Sequence, residues 1–276
     1  MRIAITGANG TLGRHLCEVL DNNEILKITH SQISDPNSIQ VDLCKYSHEL
    51  AERLKAFRPT HIIHTAAVQN SNPECYDINI SMTVQMVRYA SEFKPKFVFI
   101  SSSTVYGDKG VEKICEIDDA VADGTNAYAN SKIDGETFVR LLDNYLIFRP
   151  CAIIDPLAKR GLCYDIVQKL KNSSDQILLF GDEPGSIKPY ISAQYVASYI
   201  ATKLNEVGIY NVAPNDNISV KHIVEEAMHI SGKNKGVIWA GAAANFAGDN
   251  PVVAMKSDIN ASSLDFLRNY FIEAFA

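Results

Sequence analysis

Tyr128 and Lys132 are the side chains of this sequence whose types and spacing most directly suggest acid–base chemistry. They lie in the pentapeptide YANSK, four residues apart in a segment predicted to be helical, and therefore share one helix face. An ammonium beside a phenol stabilises the phenolate, which lowers a tyrosine pKa from about 10 toward neutrality. A tyrosine in this setting can act as a general acid or base.

A second pair, Tyr199 and Lys203 in YIATK, has the same spacing, so the pentapeptide alone does not identify the site. Hydroxyl residues distinguish the two pairs. Ser102 lies 26 residues before Tyr128 and follows the apolar run FVFIS, a predicted buried strand. Open α/β sheets bind ligands at the carboxyl ends of such strands. Ser173, equally far before Tyr199, lies in the polar run KNSSD, a predicted loop. We therefore predict the YANSK pair as catalytic and Tyr199 as a packing or surface residue.

Residues 6–13, TGANGTLG, are the strongest local signal for a phosphate-binding loop, because they follow the first predicted strand and open the first helix. Gly7 permits a tight turn, Gly10 lets the backbone approach a pyrophosphate, and Gly13 allows the helix to pack closely on the strand. The N-terminus of that helix offers free N–H groups and the positive end of the helix dipole. The context predicts a dinucleotide site; a glycine-rich turn without a ligand is the alternative.

Strands and helices alternate along the first half of the chain. The hydrophobic pattern predicts strands at 2–6, 25–29, 61–66, 97–101 and 145–148, and helices at 11–22, 46–57, 78–93 and 127–143. Residues 107–126 are predicted to form a loop. Strands that alternate with helices predict parallel βαβ units, and hence an α/β fold with helices on both faces of a doubly wound parallel sheet.

The pattern becomes less regular after Pro150. It predicts a helix at 163–171, a strand at 177–181, a helix at 193–204, a strand at 209–213 and a last helix near 219–231. We expect a dinucleotide-binding domain over 1–156, to which about 187–214 returns. Residues 157–276 are expected to form a smaller α/β domain that binds the substrate.

Composition and charge exclude several classes of partner. The 276 residues are 46% hydrophobic and contain no low-complexity tract, which predicts a soluble globular protein. The net charge is −6 and no basic run occurs, which argues against a nucleic-acid or anionic-membrane surface. The chain begins as a strand without the pattern of a signal peptide, and no run of about 18 apolar residues occurs. We expect a cytoplasmic protein.

The six cysteines, at positions 17, 44, 75, 115, 151 and 163, are scattered along the chain. None forms a CxxC pair, and no histidine lies at ligand spacing from them. Free thiols are therefore expected rather than a disulfide framework or a zinc site, and no metal is predicted.

Taken together, the motifs resemble the extended short-chain dehydrogenase/reductase family, the nucleotide-sugar epimerases, dehydratases and ketoreductases. The similarity extends along nearly the whole chain. The matching pieces are TGANGTLG (6–13), Asp42 with Leu43, HTAA (64–67), Asn79, SSSTVYG (101–107), YANSK (128–132) and FRP (148–150). The resemblance implies a Rossmann-type domain that holds NAD or NADP, and a C-terminal domain that closes over a nucleotide-linked sugar.

The resemblance also implies roles for single residues. Ser102, four positions before Tyr106, matches the family's catalytic hydroxyl, which hydrogen-bonds the reacting sugar oxygen. Lys132 is expected to hold the cofactor ribose and to bias Tyr128, the proton shuttle. Ser101 is then expected to be a buried hydroxyl bonded to the backbone. The expected cofactor-binding residues are Gly7, Asn9, Gly10, Thr11, Leu12, Gly13, Arg14, His30, Ser31, Asp42, Leu43, Ala66, Ala67, Tyr128 and Lys132.

The expected substrate-binding residues are Ser102, Ser103 and Lys188. Lys188 falls where many relatives place an arginine that grips the substrate diphosphate, and a lysine can do this as a point charge; the alternative is a solvated surface lysine. We expect His64 to be a structural histidine at the end of a buried strand. Asn79 is expected to brace the active-site helix through backbone bonds, and Arg149 to be a buried structural donor.

The reaction type is narrowed by Ser103 and Thr104. In the sugar 4,6-dehydratases of this family these positions hold Asp and Glu, the acid and base that remove water, whereas hydroxyls do not ionise. A dehydratase is therefore disfavoured. The short chain and the segment from THSQISD to VDLC resemble dTDP-4-keto-sugar reductases, whereas SSSTVYG resembles the epimerases. We expect hydride transfer at a sugar carbon, as 4-keto reduction or epimerisation. A non-catalytic NAD(P) sensor is the alternative, against which the intact Ser, Tyr and Lys set argues.

Two further expectations concern the cofactor and the assembly. An enzyme that prefers NAD normally has Asp or Glu at the end of the second strand, where this chain has Thr29, His30 and Ser31. These groups can donate to a 2′-phosphate and Arg14 can add charge, so NADP is favoured over NAD. Relatives dimerise through the helix after HTAA and the helix that carries Tyr128, which implies a homodimer. The candidate contact residues are Val84, Val87, Phe138 and Leu141.

Overall fold

The computed structural model describes residues 1–70, 72–107, 113–114, 120, 126–172, 175–179, 184–241, 254–255 and 257–276. The described residues form two compact units. The first contains those within Met1–Gly107, Asp119–Pro150 and Gln194–Tyr210; the second contains those within Asp108–Asp118, Cys151–Ala193 and Asn211–Ala276. The expected cofactor domain (1–156) and substrate domain (157–276) stay a prediction, because this division of the backbone does not reveal what each part binds.

The strands are short, as is usual for an α/β protein. In chain order they are β1 (Arg2–Thr6), β2 (Glu24–Thr29), β3 (Ser38–Gln40), β4 (His61–His64), β5 (Lys96–Ile100), β6 (Lys113–Ile114), β7 (Tyr145–Pro150), β8 (Ala152–Ile154), β9 (Gln176–Leu179), β10 (Ile187–Lys188), β11 (Tyr190–Ser192), β12 (Gly208–Val212), β13 (Ile218–Ser219), β14 (Gly236–Trp239) and β15 (Ala254–Met255).

The helices alternate with the strands of the first unit, as predicted. They are α1 (Thr11–Val19), α2 (His48–Phe57), α3 (Glu74–Phe93), α4 (Ala127–Val139), α5 (Leu162–Asn172), α6 (Ala193–Lys203), α7 (Val220–Ser231) and α8 (Ser263–Phe275). One 3₁₀ turn, Ser103–Tyr106, follows β5 directly.

One sheet of seven strands organises the first unit, in the order β12-β7-β5-β4-β1-β2-β3. The pairings from β7 through β5, β4, β1 and β2 to β3 are parallel. The chain winds outward in both directions from β1 and β4, so the order reverses between these two strands. This is the predicted doubly wound, Rossmann-type sheet, and ligands of such sheets bind at the carboxyl ends of the strands beside the reversal.

The central strands are buried along their whole length, because helices cover both faces of a parallel sheet. Every residue of β4 (HIIH) and of β5 (KFVFI) is buried. The apolar faces of α2 and α3 pack on the sheet through residues that include Leu50, Leu54, Met86 and Tyr89. This packing fixes the positions of the carboxyl ends of β4 and β5, and therefore the positions of the residues that follow them.

Helix α4 packs against α3, against β5 and against the 3₁₀ turn. Gly135 makes the approach to β5 possible: a Cβ atom on this glycine would lie 2.8 Å from Cζ of Phe99. The absence of a side chain at Gly135 therefore lets α4 lie directly on the ring of a β5 residue. The first two turns of α4, with Tyr128 and Lys132, are held beside the end of β5 as a result.

Several expected boundaries differ from the observed ones. Helix α1 ends at Val19 rather than at 22, and α3 begins at Glu74 rather than at 78. The expected helix near 219–231 is present as α7, but it is not the last one. Helix α8 follows it, and its N-cap residue is Ser262, whose hydroxyl accepts the N–H of Leu264. Most of the expected loop over 107–126, and the end of the expected strand over 177–181, lie outside the described residues.

The second unit has its own apolar core. It is built where α5, α7 and α8 pack together, through residues that include Ile166, Leu170, Ile223, Leu267 and Phe271. Short two-stranded pairs border this core: β8 with β11 and β9 with β14 are parallel, and β10 with β13 is antiparallel. The unit is therefore α/β, as expected for the smaller part of the chain.

Candidate active site

The glycine loop between β1 and α1 is closed tightly around its own backbone. Gly7 adopts a φ of +64°, and a Cβ atom there would lie 2.9 Å from Oγ1 of Thr65 and 3.0 Å from N of Ala66. A Cβ atom on Gly13 would lie 2.1 Å from the carbonyl oxygen of Gly7. The N–H of Gly10 donates to that same oxygen over 2.8 Å. Glycine is thus required at Gly7 and Gly13 for the turn itself.

The N-terminus of α1 opens onto this loop. Gly10 is the N-cap residue, and no side chain of the described residues caps the helix. The first N–H groups of a helix have no partner within the helix, and an anion satisfies them well. A tight glycine turn in front of an uncapped helix fits the diphosphate of a dinucleotide cofactor.

Thr6 ties the carboxyl ends of β1 and β4 together. Its hydroxyl accepts the N–H groups of Thr65 and Ala66, each over 3.2 Å, so its own proton is directed at Nδ1 of His64, 2.8 Å away. Nδ1 therefore accepts, and the proton on Nε2 is directed at Oγ1 of Thr83, 3.3 Å away. Burial lowers the pKa of His64 to about 3, so the ring is neutral. His64 is a structural residue at the carboxyl end of β4, as expected.

The end of β2 presents polar groups to solvent. The buried Thr29 donates its hydroxyl to the carbonyl oxygen of Ser31 over 2.8 Å, and this bond shapes the turn in which His30 and Ser31 are exposed. Asp42, also exposed, lies just beyond the adjoining β3. Its carboxylate accepts the N–H of Cys44 over 3.0 Å, which lowers the pKa of the carboxyl. Hydroxyl, imidazole and carboxylate groups thus border the place where a cofactor ribose is expected.

The remaining residues of the expected cofactor set surround the glycine loop or pack beneath it. Asn9 and Ala67 are exposed; Thr11, Arg14 and Ala66 are half-buried; Leu12 and Leu43 are buried. The two leucines therefore act through packing, and any direct contact they make is through the backbone.

Ser102, the second residue beyond β5, has a hydroxyl that is held by the turn that follows it. It has extended backbone, with φ −159° and ψ 152°, and is the N-cap residue of the 3₁₀ turn. Its Oγ receives the N–H of Thr104 over 3.2 Å and the hydroxyl of Thr104 over 3.0 Å. Only 9% of Ser102 is exposed. Ser103, one of the expected substrate contacts, is half-buried and begins the turn.

Lys132 reaches the end of the same strand from α4. Its ammonium donates to the carbonyl oxygen of Ile100 over 2.8 Å, two residues before Ser102. The nitrogen lies 5.7 Å from the ring centroid of Tyr128 and 4.9 Å from that of Phe99. Helix α4 also packs on the 3₁₀ turn that begins directly after Ser102, so Tyr128 and Lys132 lie beside the segment that follows the carboxyl end of β5.

The environment of this triad is almost dry. Tyr128 is 8% exposed and Lys132 is 3% exposed. Burial lowers the pKa of Lys132 from 10.5 to about 8, since an ammonium loses hydration in the interior. The lysine is still mostly cationic at pH 7, so it can stabilise a phenolate on Tyr128.

Asn79 braces the helix that carries Tyr128 and Lys132. Its Oδ1 accepts the N–H of Val68 over 2.8 Å, and its Nδ2 donates to the carbonyl oxygen of Val68 over 2.9 Å. Nδ2 also lies 3.0 Å from Oγ of Ser131, which in turn donates to the carbonyl oxygen of Tyr128 over 2.7 Å. Asn79 thus links the segment after β4 to the turn of α4 that holds Tyr128. The bond toward α4 runs through the Ser131 side chain rather than directly to backbone.

Glu136 is a residue of this site that the sequence motifs did not predict. It is 2% exposed and lies one helical turn beyond Lys132. Its Oε1 accepts the hydroxyl of Ser101 over 2.6 Å and Nε of Arg149 over 2.8 Å. Its Oε2 accepts Nη2 of Arg149 over 2.7 Å and Nη2 of Arg140 over 3.0 Å. Ser101 is buried, as expected, but its hydroxyl bonds this carboxylate and not the backbone. The run YANSKIDGE contained the signal, an acidic residue on the helix face of Tyr128 and Lys132.

Arg149 completes this buried cluster and is the structural donor that was expected. It is 1% exposed, and its Nη1 donates to Oη of Tyr106 over 2.8 Å. The carboxylate of Glu136 raises the pKa of Arg149 even though burial opposes the charge. Through Ser101 and Tyr106 the cluster holds both ends of the segment that contains Ser102.

Lys188 is the one expected site residue that the structure places in the second unit. It lies in β10, is half-buried, and its Nζ is 6.0 Å from the ring centroid of Tyr190. Its contact with a substrate diphosphate stays a prediction.

Metal ligation and membrane insertion have no support in the described part of the chain. No group of three or more His, Cys, Asp or Glu side chains among the described residues could hold a metal ion. None of the helices in those residues combines the length and the apolar character that a membrane span needs.

Solved structures of similar fold include two nucleotide-sugar reductases and an epimerase. A dTDP-4-dehydrorhamnose reductase from Bacillus anthracis, in complex with NADP, has a TM-score of 0.83 at 20% identity over 99% of both chains. The enzyme of the same name from Yersinia enterocolitica has a TM-score of 0.79 at 21% identity over 99% of both chains. UDP-glucose 4-epimerase from Thermus thermophilus, in complex with NAD, has a TM-score of 0.80 at 18% identity over 98% of this chain and 99% of its own.

Comparison of the sequence identifies a family but no individual relative. No curated protein matches the chain. The model of the NAD dependent epimerase/dehydratase family matches residues 3–213, which include the glycine loop, β5 with its hydroxyls, and the Tyr128–Lys132 turn. The resemblance inferred from the motifs is therefore confirmed: the chain belongs to the NAD dependent epimerase/dehydratase family of nicotinamide-dependent enzymes.

Proposed function

We propose that this protein transfers hydride between a nicotinamide cofactor and a carbon of a nucleotide-linked sugar, in a 4-keto reduction or an epimerisation. The observation that carries the proposal is that Lys132, beside Tyr128, bonds the last carbonyl oxygen of β5, two residues before Ser102. This strand is next to β4, and β4 borders the glycine loop of β1 across the reversal of strand order. Family membership and the reductases and epimerases of like fold support the same chemistry.

The side chains divide the work of reduction. Tyr128 gives its phenolic proton to the sugar oxygen as the carbonyl becomes an alcohol, and recovers it in the reverse direction. Lys132, cationic at pH 7 and 5.7 Å from the ring centroid, stabilises the phenolate that this transfer leaves. Ser102 donates a hydrogen bond to the same oxygen and fixes its position. The bound cofactor supplies or accepts the hydride.

The cofactor is assigned to the edge formed by β1, β2 and β4. Its diphosphate would lie on the glycine loop at the N-terminus of α1, and its nicotinamide ribose would contact Tyr128 and Lys132. We propose NADP as the preferred form, because the exposed His30 and Ser31 can donate to a 2′-phosphate and Arg14 adds a positive charge nearby. NADPH is then expected to bind at least several-fold more tightly than NADH. A tenfold preference for NADH in a fluorescence titration would reverse this assignment.

The substrate is proposed to contact Ser102 and Ser103, with Lys188 binding its diphosphate as a point charge. A dehydratase mechanism is not proposed. Thr104, at a position that holds one of the two carboxyl groups in sugar 4,6-dehydratases, is 8% exposed and bonded to Ser102, so it supplies no acid or base.

A homodimer through α3 and α4 is proposed on family resemblance. Val84, Val87 and Phe138 on these helices are half-buried, and Leu141 just beyond α4 is 75% exposed. Apolar side chains left partly exposed on two adjacent helices suit an interface between two copies. Light scattering at micromolar concentration is expected to give twice the chain mass; a strict monomer would overturn the proposal.

The proposed function is tested with the purified full chain. The first assay offers dTDP-4-dehydrorhamnose with NADPH or NADH and follows nucleotide oxidation; the second offers UDP-galactose with NAD and follows epimerisation. Turnover in the first assay identifies a reductase, and turnover in the second, with NAD released from the heat-denatured protein, identifies an epimerase. Nucleotide binding without turnover of any sugar would overturn the enzymatic proposal and leave a non-catalytic sensor.

A further inference from the structure

The hydroxyl of Ser102 already has both of its acceptor positions filled by one neighbour. A serine hydroxyl offers one O–H donor and two lone pairs. Thr104 donates to Ser102 Oγ twice, from its backbone N–H over 3.2 Å and from its side-chain O–H over 3.0 Å. The hydrogen-bonding capacity that is left to Ser102 is its own proton.

This arrangement is part of a rigid turn. Thr104 is 8% exposed, and its carbonyl oxygen accepts the N–H of Gly107, which closes the 3₁₀ turn over 3.2 Å. Arg149 holds Tyr106 at the end of the turn, and Glu136 holds Ser101 in front of it. The backbone of Thr104 is therefore held at both ends of its segment, and the burial of its side chain keeps the hydroxyl beside Ser102.

We propose that Thr104 is a positioning residue that holds Ser102 as a hydrogen-bond donor and so adapts the site to a sugar oxygen in its keto form. The inference deepens the proposed function and rests on it. A carbonyl oxygen has lone pairs and no proton, so it needs donors from both Tyr128 and Ser102. A sugar hydroxyl also needs an acceptor, which Ser102 cannot provide while Thr104 fills its lone pairs.

Removal of the Thr104 hydroxyl opens one lone pair of Ser102. Thr104→Val keeps the branched shape and the backbone N–H but loses the O–H, so Ser102 can rotate and accept as well as donate. Thr104→Ser restores the O–H and is the conservative rescue. Thr137, an exposed residue of α4 whose hydroxyl bonds the carbonyl oxygen of Ile133, gives the matched control Thr137→Val.

The test is a double-mutant cycle with Ser102→Ala. With dTDP-4-dehydrorhamnose and NADPH, or with UDP-galactose if that sugar is the one turned over, Thr104→Val is expected to lower kcat/KM about tenfold, the usual effect of one misdirected hydrogen bond. Thr104→Ser and Thr137→Val should stay within about twofold of wild type. In the Ser102→Ala background Thr104→Val should have almost no further effect, because the residue acts through Ser102.

A second readout separates positioning from a general loss of structure. Thermal unfolding and NADPH titration of Thr104→Val should match the wild type. Equilibrium binding of dTDP-4-dehydrorhamnose to the NADP-bound protein should weaken several-fold, whereas binding of dTDP-rhamnose to the NADPH-bound protein should stay equal or tighten. A structural defect would weaken both sugars alike.

The outcomes distinguish this inference from the proposed function. Wild-type kcat/KM in Thr104→Val, an equal loss in the Ser102→Ala background, or equal weakening of both sugars would each overturn the role of Thr104 while leaving the catalytic triad in place. Wild-type activity in Ser102→Ala, or no turnover of either sugar by the wild type, would overturn the proposed function and this inference together.

Discussion

Two tyrosine–lysine pairs in the first unit have the same spacing and almost the same local geometry, yet different surroundings. Nζ of Lys132 lies 5.7 Å from the ring centroid of Tyr128, and Nζ of Lys203 lies 5.6 Å from that of Tyr199. Four residues on a helix are enough to produce this contact. The distance between ring and ammonium therefore says nothing about which pair does chemistry.

The surroundings separate the two pairs. Lys132 is buried and bonds the carbonyl oxygen of Ile100 at the carboxyl end of β5. Lys203 is half-buried and lies over a second ring, that of Tyr210, at 5.2 Å. Tyr199 packs edge-on against Phe148, with ring centroids 6.2 Å apart. The pair Tyr128 and Lys132 lies at the carboxyl end of a strand of the central sheet. The pair Tyr199 and Lys203 packs among aromatic rings.

The largest expected difference between the two pairs is in the effect of replacing their tyrosines. Tyr128→Phe removes the proton donor and is expected to lower kcat by roughly 10² to 10⁴, the usual contribution of a positioned acid or base, while the fold and nucleotide binding persist. Tyr199→Phe keeps the ring that packs on Phe148 and should leave kcat nearly unchanged. Steady-state rates with an active sugar nucleotide measure both. If activity is lost in Tyr199→Phe and retained in Tyr128→Phe, the assignment of the active site to α4 is wrong.

Local patterns in the sequence were sufficient to predict much of this site. The apolar run before Ser102 predicted where β5 ends, and helical spacing predicted that Tyr128 and Lys132 share a face. Because the carboxyl ends of parallel strands all lie at the same end of the sheet, where ligands bind, these two predictions together placed Ser102 near Tyr128 and Lys132. The glycine loop was recognisable for the same reason, since its position after the first strand is local information.

The sequence did not reveal the contacts that depend on tertiary partners. Glu136 receives hydrogen bonds from Ser101, 35 residues earlier, and from Arg149, 13 residues later. The local pattern places Glu136 on the helix face of Tyr128 and Lys132 but does not specify these partners. The two hydrogen bonds from Thr104 to Ser102 depend on the 3₁₀ turn, which is too short to give a periodic signal in the sequence. Ser173, the sequence counterpart of Ser102 in the control pair, lies outside the described residues.

The lysines give the second contrast. Lys132→Met removes the charge that stabilises the phenolate and is proposed to hold the ribose, so kcat should fall about 10²-fold and NADPH affinity about tenfold. Lys203→Met should change neither quantity by more than about twofold, since it affects only packing and partly exposed charge. Kinetics and nucleotide titration report the two effects separately. Equal damage from both substitutions would mean that the charge acts on the fold and not on the reaction.

The serines sharpen the assignment of the strand end. Ser102→Ala removes one of two donors to the sugar oxygen and is expected to lower kcat/KM by about 10- to 100-fold. Ser103→Ala, one position further, should cost about threefold or less, because Ser103 is proposed to contact the sugar away from the reacting oxygen. The measurement is kcat/KM with the sugar nucleotide at fixed cofactor. If Ser103→Ala is the more damaging variant, the catalytic hydroxyl has been assigned one residue too early.

The smallest expected effect concerns stability and pH, and it isolates the burial of Lys132. The pKa of Lys132 is lowered from 10.5 to about 8 by burial, so between these pH values the folded protein binds fewer protons than the unfolded chain. The free energy of unfolding contributed by this group therefore rises with pH through that window, by about 1 kcal/mol between pH 8 and pH 9. Below pH 8 both states are protonated, and the cost of burying the charge is present in full.

Urea unfolding of the cofactor-free protein at pH 7.5, 8, 8.5 and 9 measures this rise. Other groups titrate in the same range, so the quantity to compare is the difference in unfolding free energy between wild type and Lys132→Met, which should grow in favour of the wild type as the pH increases. The same difference taken for Lys203→Met tests whether a ring at 5.6 Å is sufficient to produce the effect. If only the Lys132 difference grows, burial at the end of β5 is the cause; if both differences grow alike, the effect does not depend on that burial. A flat Lys132 difference would mean that water reaches the ammonium, and the dry environment inferred for the triad would be wrong.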